Sequence, residues 1–451
     1  MRNYILEILL LLGLIIISSE TAAQQSWTLT QCISYAIENN INLKEYEILE
    51  KIALEDVRQS RRDMLPGIKA STSAGFSFGR SVDPSTDAIT NTTFFNNSYG
   101  LSSSIAVFDG FRLQNRIKYQ KFKQQASEYL RLNATDDLAF EITLAFFDVV
   151  YYKGMLEIAK EQVEASKLSL KTTEKKVEVG LKAKTDLLDM RANLEQEELN
   201  KIQVENAVQT ATLQLKQLMN FVSNDEMNLV DLSPMVYSED IRKPQQLFNQ
   251  FTTWSPYYRS IEANLNASKK ALSLSRSLLY PSIWANGSFN SGFYETNTDE
   301  NGKTIGFGEQ YKFNRSQSLG ASLTIPVFNR WSGRSQVKKA KLEIERAKTK
   351  LENEKQKMFF EMVNNLTDLE ALYKEYNQYV KRSEVDELAF RAADRKFEQG
   401  LIDINDYYIA KNRLANTQSQ VLRSRTQWEI KMKILEFYKG QRFWEMEEST
   451  R

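Results

Sequence analysis

The chain has 451 residues, with 17 Gly, 7 Pro, one Cys and no His. Both helix breakers are scarce, so long helices are expected. The missing histidine excludes imidazole nucleophile pairs, His general bases and imidazole zinc sites, and the lone Cys32 excludes an intrachain disulfide or thiolate cluster. Lys and Arg (59) nearly balance Asp and Glu (58), so charge gives no pull toward nucleic acid, and none is expected as a partner.

The chain opens with Met1-Arg2, an apolar run from Ile8 to Ile17 and the small residues Ser18, Ser19, Ala22 and Ala23. This is the pattern of a secretory signal peptide over residues 1–23, and the run is shorter than the roughly 20 residues of a membrane-spanning helix. Gln31, which precedes Cys32, is not small, so Cys32 reads as a buried helical thiol rather than a lipidated terminus. No later stretch reaches 18 apolar residues.

Residues 28–64 carry apolar positions at helical spacing (Ile33, Ala36, Ile37, Ile48, Ile52), with Thr30 as the expected cap. The period then drops to two. Ile68, Ala70, Thr72, Ala74, Phe76 and Phe78 predict a strand over about 67–79, and Tyr99, Leu101, Ser103, Ile105 and Val107 predict a second over about 97–108. A polar stretch joins them. Coiled-coil helices follow over about 111–220, with a clean +3/+4 run from Ile142 through Ala145, Val149 and Val163 to Val177. Gly180 marks the reversal within them, supplying a positive φ.

A linker over 226–243 separates this first repeat (24–225) from a second (244–440). Leu279-Tyr280-Pro281-Ser282 resembles Met64-Leu65-Pro66-Gly67 at an offset of 215, and Val327-Phe328-Asn329 resembles Val107-Phe108-Asp109 at 220. Strands are expected over 282–294 and 313–327, coiled-coil helices over 331–440 with their reversal at Gly400, and a tail over 441–451.

Four strands cannot close a membrane barrel, for which the smallest number is eight. Two readings remain at this point: a small soluble β-domain at the end of a coiled coil, or several copies pooling their strands. Pooling accounts for the export signal, the roughly ten-residue strand length and the polar face opposite the apolar one. It also makes Phe76, Phe78, Tyr99, Phe293, Tyr294, Tyr311 and Phe313 a membrane girdle.

The duplicated order of helix, hairpin, Val-Phe-(Asp/Asn), long helix, Gly-Leu and returning helix resembles the TolC family of outer-membrane efflux and secretion channels. The resemblance runs from Trp27-Thr28-Leu29-Thr30 to about Gly440 and rests on Val107-Phe108-Asp109-Gly110, Pro326-Val327-Phe328-Asn329 and Val179-Gly180-Leu181-Lys182-Ala183-Lys184-Thr185-Asp186. It implies a mainly α fold with a β-barrel contribution: a homotrimer whose twelve strands form a barrel in outer-membrane lipid above an α-helical periplasmic tunnel. The implied function is a passive exit duct, without catalytic residues, metal or cofactor, in a tripartite efflux or type I secretion system. Partners would be a periplasmic adaptor (membrane fusion) protein and an inner-membrane pump of RND or ABC type. Gly180, Leu181, Gly400 and Leu401 would form the adaptor-docking tip, and Asp186, Asp189, Asp406, Tyr407 and Tyr408 the periplasmic aperture. The alternative is an exported coiled-coil structural or adaptor protein without a membrane barrel.

Overall fold

A computed structural model describes residues 26–82, 87–91, 93–223, 227–229 and 243–445. The expected signal peptide, most of the 226–243 linker and residues 446–451 lie outside them. In chain order the elements are β1 (Ser26–Trp27), α1 (Leu29–Asn39), α2 (Ile41–Arg62), β2 (Gly67–Ser77), β3 (Arg80–Val82), β4 (Ile89–Asn91), β5 (Phe94–Phe108), α3 (Arg112–Glu178) and α4 (Lys184–Met219). They continue with β6 (Asn228–Leu229), α5 (Pro244–Trp254), α6 (Pro256–Ser277), β7 (Ser282–Tyr294), α7 (Phe307–Phe313), β8 (Ser316–Thr324), α8 (Ser332–Glu398) and α9 (Ile404–Tyr438).

The duplication is a structural one. The bounds of α1, α2 and the start of β2 recur 215 residues later in α5, α6 and β7, and those of α3 recur 220 residues later in α8. Both long helices have 67 residues, about 100 Å at 1.5 Å per residue. The helix expected over 28–64 is broken at Asn40, whose side-chain oxygen accepts from the Asn42 amide at 2.8 Å; Pro256 breaks the second copy at the same place. The first cap is Thr28, not Thr30: Thr28 and Gln31 form a reciprocal capping box.

The chain divides into two compact units. One combines Glu47–Leu130 with Pro256–Glu354 and holds the long strands. These form one antiparallel sheet in the order β2-β5-β7-β8, so the two repeats join through β5 and β7. Among the described residues the outer edges of β2 and β8 pair with no strand. The register puts Ile68, Ala70, Leu101, Phe289, Leu319 and Leu323 on one face. The other face is mainly Ser, Asn and Gly, with hydroxyl pairs such as Ser73–Ser98 (2.7 Å) and Ser288–Ser318 (2.8 Å). Lys69, on this polar face, is the sole charged residue in the four long strands.

The strand ends differ from expectation in three ways. β2 stops at Ser77, β5 begins at Phe94, and the strand expected over 313–327 is the nine-residue β8 (Ser316–Thr324), its first expected residue, Phe313, closing the helix α7 instead. Tyr311 and Phe313 therefore sit on a helix. Phe76, Phe95 and Phe293 form a ladder of ring contacts across the apolar face, continued through Phe307 to Tyr99 and Tyr311; Phe78 packs on Phe76. Tyr294 pairs with Asn96 on the opposite face, because neighbouring strand residues point to opposite sides. It is no part of this belt.

The second unit holds the other ends of the long helices. Ile142, Ala145, Val149, Ala159, Val163, Ser166 and Thr173 are buried along α3 at the +3/+4 spacing of the sequence. Cys32 is fully buried, and burial pushes its thiol up to about 12, so it is an inert packing group. The expected tail is packed where it is described. Phe443 and Trp444 are buried against Phe140, and Trp444 also stacks on Phe437. Beside them Arg442 reaches the buried Asp136 carboxylate at 3.0 Å.

Burial outweighs Arg442 and pushes the Asp136 carboxyl up to about 6. Between its unfolded value of 3.8 and about 6, the folded chain holds a proton that the unfolded chain releases. The contribution of this group is therefore complete at the acid end and is lost as pH rises through that window. Thermal unfolding between pH 4 and 7 is expected to show this loss, on the order of 2 kcal/mol, and Asp136→Asn is expected to flatten it.

Candidate functional site

The two helical hairpins reverse at equivalent turns. After α3, the Gly180 amide donates to the Val177 carbonyl (3.0 Å) and the Leu181 amide to the Lys176 carbonyl (2.7 Å). After α8, Gly400 donates to Phe397 (3.0 Å) and Leu401 to Lys396 (2.8 Å). Each is a Schellman closure, and each places glycine at positive φ, +76° and +75°. The turn leaves the leucine that follows each glycine largely in solvent. Leu181 is 75% exposed and Leu401 68% exposed.

The turns then diverge. Asp403 caps α9, accepting from the Asp406 amide at 2.9 Å, whereas its counterpart Ala183 gives α4 no side-chain cap. In the first half Lys182 instead lies 4.5 Å from the Phe397 ring centroid and 3.5 Å from Asp186. Lys176 donates to the Glu398 carbonyl, so a lysine of the first hairpin satisfies the end of α8 in the second. Asp186 is thus half-buried and paired, while Asp189 and Asp406 are exposed.

Tyr407 and Tyr408 are placed differently from the expectation. With Met190, Phe397 and Ile404 they form the core of the tip, Tyr407 at 1% and Tyr408 at 8% exposure. Tyr407 also shares a 2.9 Å hydrogen bond with Ser169. Burial pushes its phenol up to about 12 and raises that of Tyr408 as well. Rings enclosed within one chain cannot constrict an opening between chains. The reason is periodicity: Ile404, Tyr407, Tyr408, Lys411 and Leu414 fall on one helical stripe, and that stripe faces inward. Ile409, off the stripe, is 62% exposed.

One turn further in lies a feature that sequence reasoning missed. Lys411 is fully buried, and its ammonium donates to the Gln162 carbonyl (2.7 Å), to the Ser166 hydroxyl and to Glu197 (2.8 Å). It ties α9 to both helices of the first hairpin. Burial lowers its pKa, and the Glu197 carboxylate only partly offsets that. The signal was a lysine at an apolar heptad position.

Among the described residues no group of three or more His, Cys, Asp or Glu is arranged to hold a metal, and no helix is long and apolar enough to cross a membrane. The tip offers exposed leucines, carboxylates and a braced turn. Such a set suits contact and ion attraction.

The family described as outer membrane efflux protein matches residues 32–220 and 251–441, one segment per repeat. The outer membrane protein TolC of Vibrio cholerae is 22% identical over 376 residues, covering 83% of this chain and 77% of that protein. Among solved structures, the CmeC outer membrane channel of Campylobacter jejuni superposes with a TM-score of 0.79 at 18% identity, over 91% of this chain and 85% of that one. VceC of Vibrio cholerae gives 0.77 at 14% identity, over 92% and 96%. The chain belongs to the outer membrane efflux protein family and serves as an outer-membrane exit duct, with a large periplasmic helical portion.

Proposed function

We propose that three copies of the chain pool their sheets into one barrel, that the hairpin tips dock a periplasmic adaptor fed by an RND- or ABC-type pump, and that carboxylates at the tip form the aperture. One observation carries this reading: a four-stranded sheet with two unpaired edges, apolar on one face and polar on the other. In lipid each unsatisfied edge group costs several kcal/mol, and closure with further copies removes every edge. An exported coiled-coil protein without a barrel would leave that apolar face in water.

Asp406 is an exposed aperture carboxylate, whereas Asp186 is held by Lys182. Asp189 is the exposed carboxylate of the first hairpin, and its equivalent in the second is Ile409. Three symmetry-related copies of Asp406 would attract cations into a narrow opening. In planar bilayers, Asp406→Ala is expected to weaken block by divalent cations several-fold; unchanged block removes Asp406 from the aperture. Lys69 is the one charge in the four long strands and lies on the face that would line the lumen. Lys69→Glu is expected to move the reversal potential under a salt gradient toward cation preference, and no movement would place Lys69 outside the conducting path.

A further inference from the structure

At the end of the sheet where strands pass into helices, the two repeats build the same junction. Asp109 caps the first, accepting from the Arg112 amide at 3.0 Å, and Asn329 accepts from the Gly333 amide in the second. Each junction holds two consecutive residues in the left-handed region: Gly110 and Phe111 (φ +66° and +62°), then Arg330 and Trp331 (+55° and +65°). Gly110 is required there, since a Cβ would lie 2.8 Å from the Tyr280 side chain. Phe111, Arg330 and Trp331 have no such excuse, and positive φ is unfavourable for bulky residues.

What the strained turns achieve is display. Phe111 is 59% exposed and its equivalent Trp331 60% exposed. Phe111 meets Phe108 edge-on at 5.3 Å, and Phe108 pairs with Ile283, so the ring continues the apolar face of the sheet. The Arg334 guanidinium lies 4.4 Å from the Trp331 ring centroid.

The charge around these rings is one-sided. Residues 325–341 carry Arg330, Arg334, Lys338, Lys339 and Lys341 and no acidic residue. Among the described residues no carboxylate forms an ion pair with any of these five. Residues 109–125 carry five basic residues, of which Arg112 pairs with Asp109 (3.3 Å) and Arg116 with Asp63 (3.7 Å). The connections at the other end of the strands hold acidic residues in slight excess. Exposed aromatic rings at the strand-to-helix end of the sheet, beside the carboxylate-free cations of the second junction, match the chemistry of a headgroup layer: rings at the boundary, cations on phosphates.

We propose that the two strand-to-helix junctions form a cationic and aromatic collar that binds anionic phospholipid headgroups of the periplasmic leaflet. This rests on the reading that the apolar sheet face meets lipid. Phe111 and Trp331 seat the collar, and Arg330 and Arg334 select the anionic headgroup.

The test uses the full chain, extracted in detergent and delipidated, with retained lipid measured by native mass spectrometry after titration with phosphatidylglycerol or phosphatidylethanolamine. The collar predicts at least tenfold preferential retention of phosphatidylglycerol, reduced to near parity in R330Q/R334Q and by raised salt. F111S/W331S is expected to weaken retention of both lipids. K303Q/R315Q, at the other end of the strands, is expected to change nothing. Equal retention of the two lipids by the unaltered chain, a preference that survives R330Q/R334Q, or displacement by millimolar inorganic phosphate would each overturn the proposal. Heat-modifiable oligomer migration is read on every sample. Its loss in a variant marks misfolding, and the preference is then judged on the unaltered chain and its salt dependence. Its absence in the unaltered chain counts against the barrel itself.

Discussion

Lys411→Met is expected to destabilise the helical unit by about 3 kcal/mol, read as a fall of several degrees in the thermal midpoint. The substitution keeps the aliphatic length and deletes the charge. It strands the Glu197 carboxylate, whose second oxygen already has no partner, together with the Gln162 carbonyl and the Ser166 hydroxyl. Removing one member of a buried pair costs more than the pair contributes, because the remaining charge stays desolvated. The Glu197 side chain is 17% exposed, so water relieves part of that cost and the estimate sits at the low end of the usual range. The double variant Lys411→Met/Glu197→Met is expected to recover most of the loss, since it leaves no orphaned charge. A single variant as stable as the parent would mean that the bridge between α9 and the first hairpin carries no weight.

The largest functional effect is expected at the tip. Leu181→Asp combined with Leu401→Asp should cut recovery of the periplasmic adaptor in cross-linked pull-downs tenfold or more, with the oligomer intact. Both leucines follow a closed Schellman turn and are exposed, so neither supports the fold. An exposed leucine repeated at both reversals is the kind of apolar anchor that an interface desolvates, and a carboxylate there would have to be buried on docking. Undiminished recovery would remove these turns as the docking surface. Each single variant is expected to show a smaller loss, because the other turn remains.

The repeat was legible because glycine and proline punctuate it. Pro66 and Pro281 stand where helix becomes strand, Gly180 and Gly400 where the hairpins reverse, and the element bounds follow these marks closely. The +3/+4 run along α3 likewise identified residues that are buried. The α7 helix was not legible: seven residues are too few for a helical period to register, and Tyr311 and Phe313 alternate as strand residues do. Tyr294 was assigned to the belt through its neighbour Phe293, against the two-residue period. The aperture assignment failed at Tyr407 and Tyr408 because aromatic pairs at a hairpin end suit a constriction and a core equally well. Only the stripe shared with Ile404, Lys411 and Leu414 decides between them. Lys411 itself was invisible for a related reason: a lysine in a heptad reads as solvated until its partners, contributed by two other helices, are known.

On the proposed assembly, sheets with open edges are completed by further copies of the same chain in the outer membrane. Cell fractionation followed by detergent extraction and native mass spectrometry tests it most directly. The expected result is recovery from the outer membrane of a heat-modifiable assembly with the mass of three chains. Release of a monomer into the soluble periplasmic fraction would contradict it.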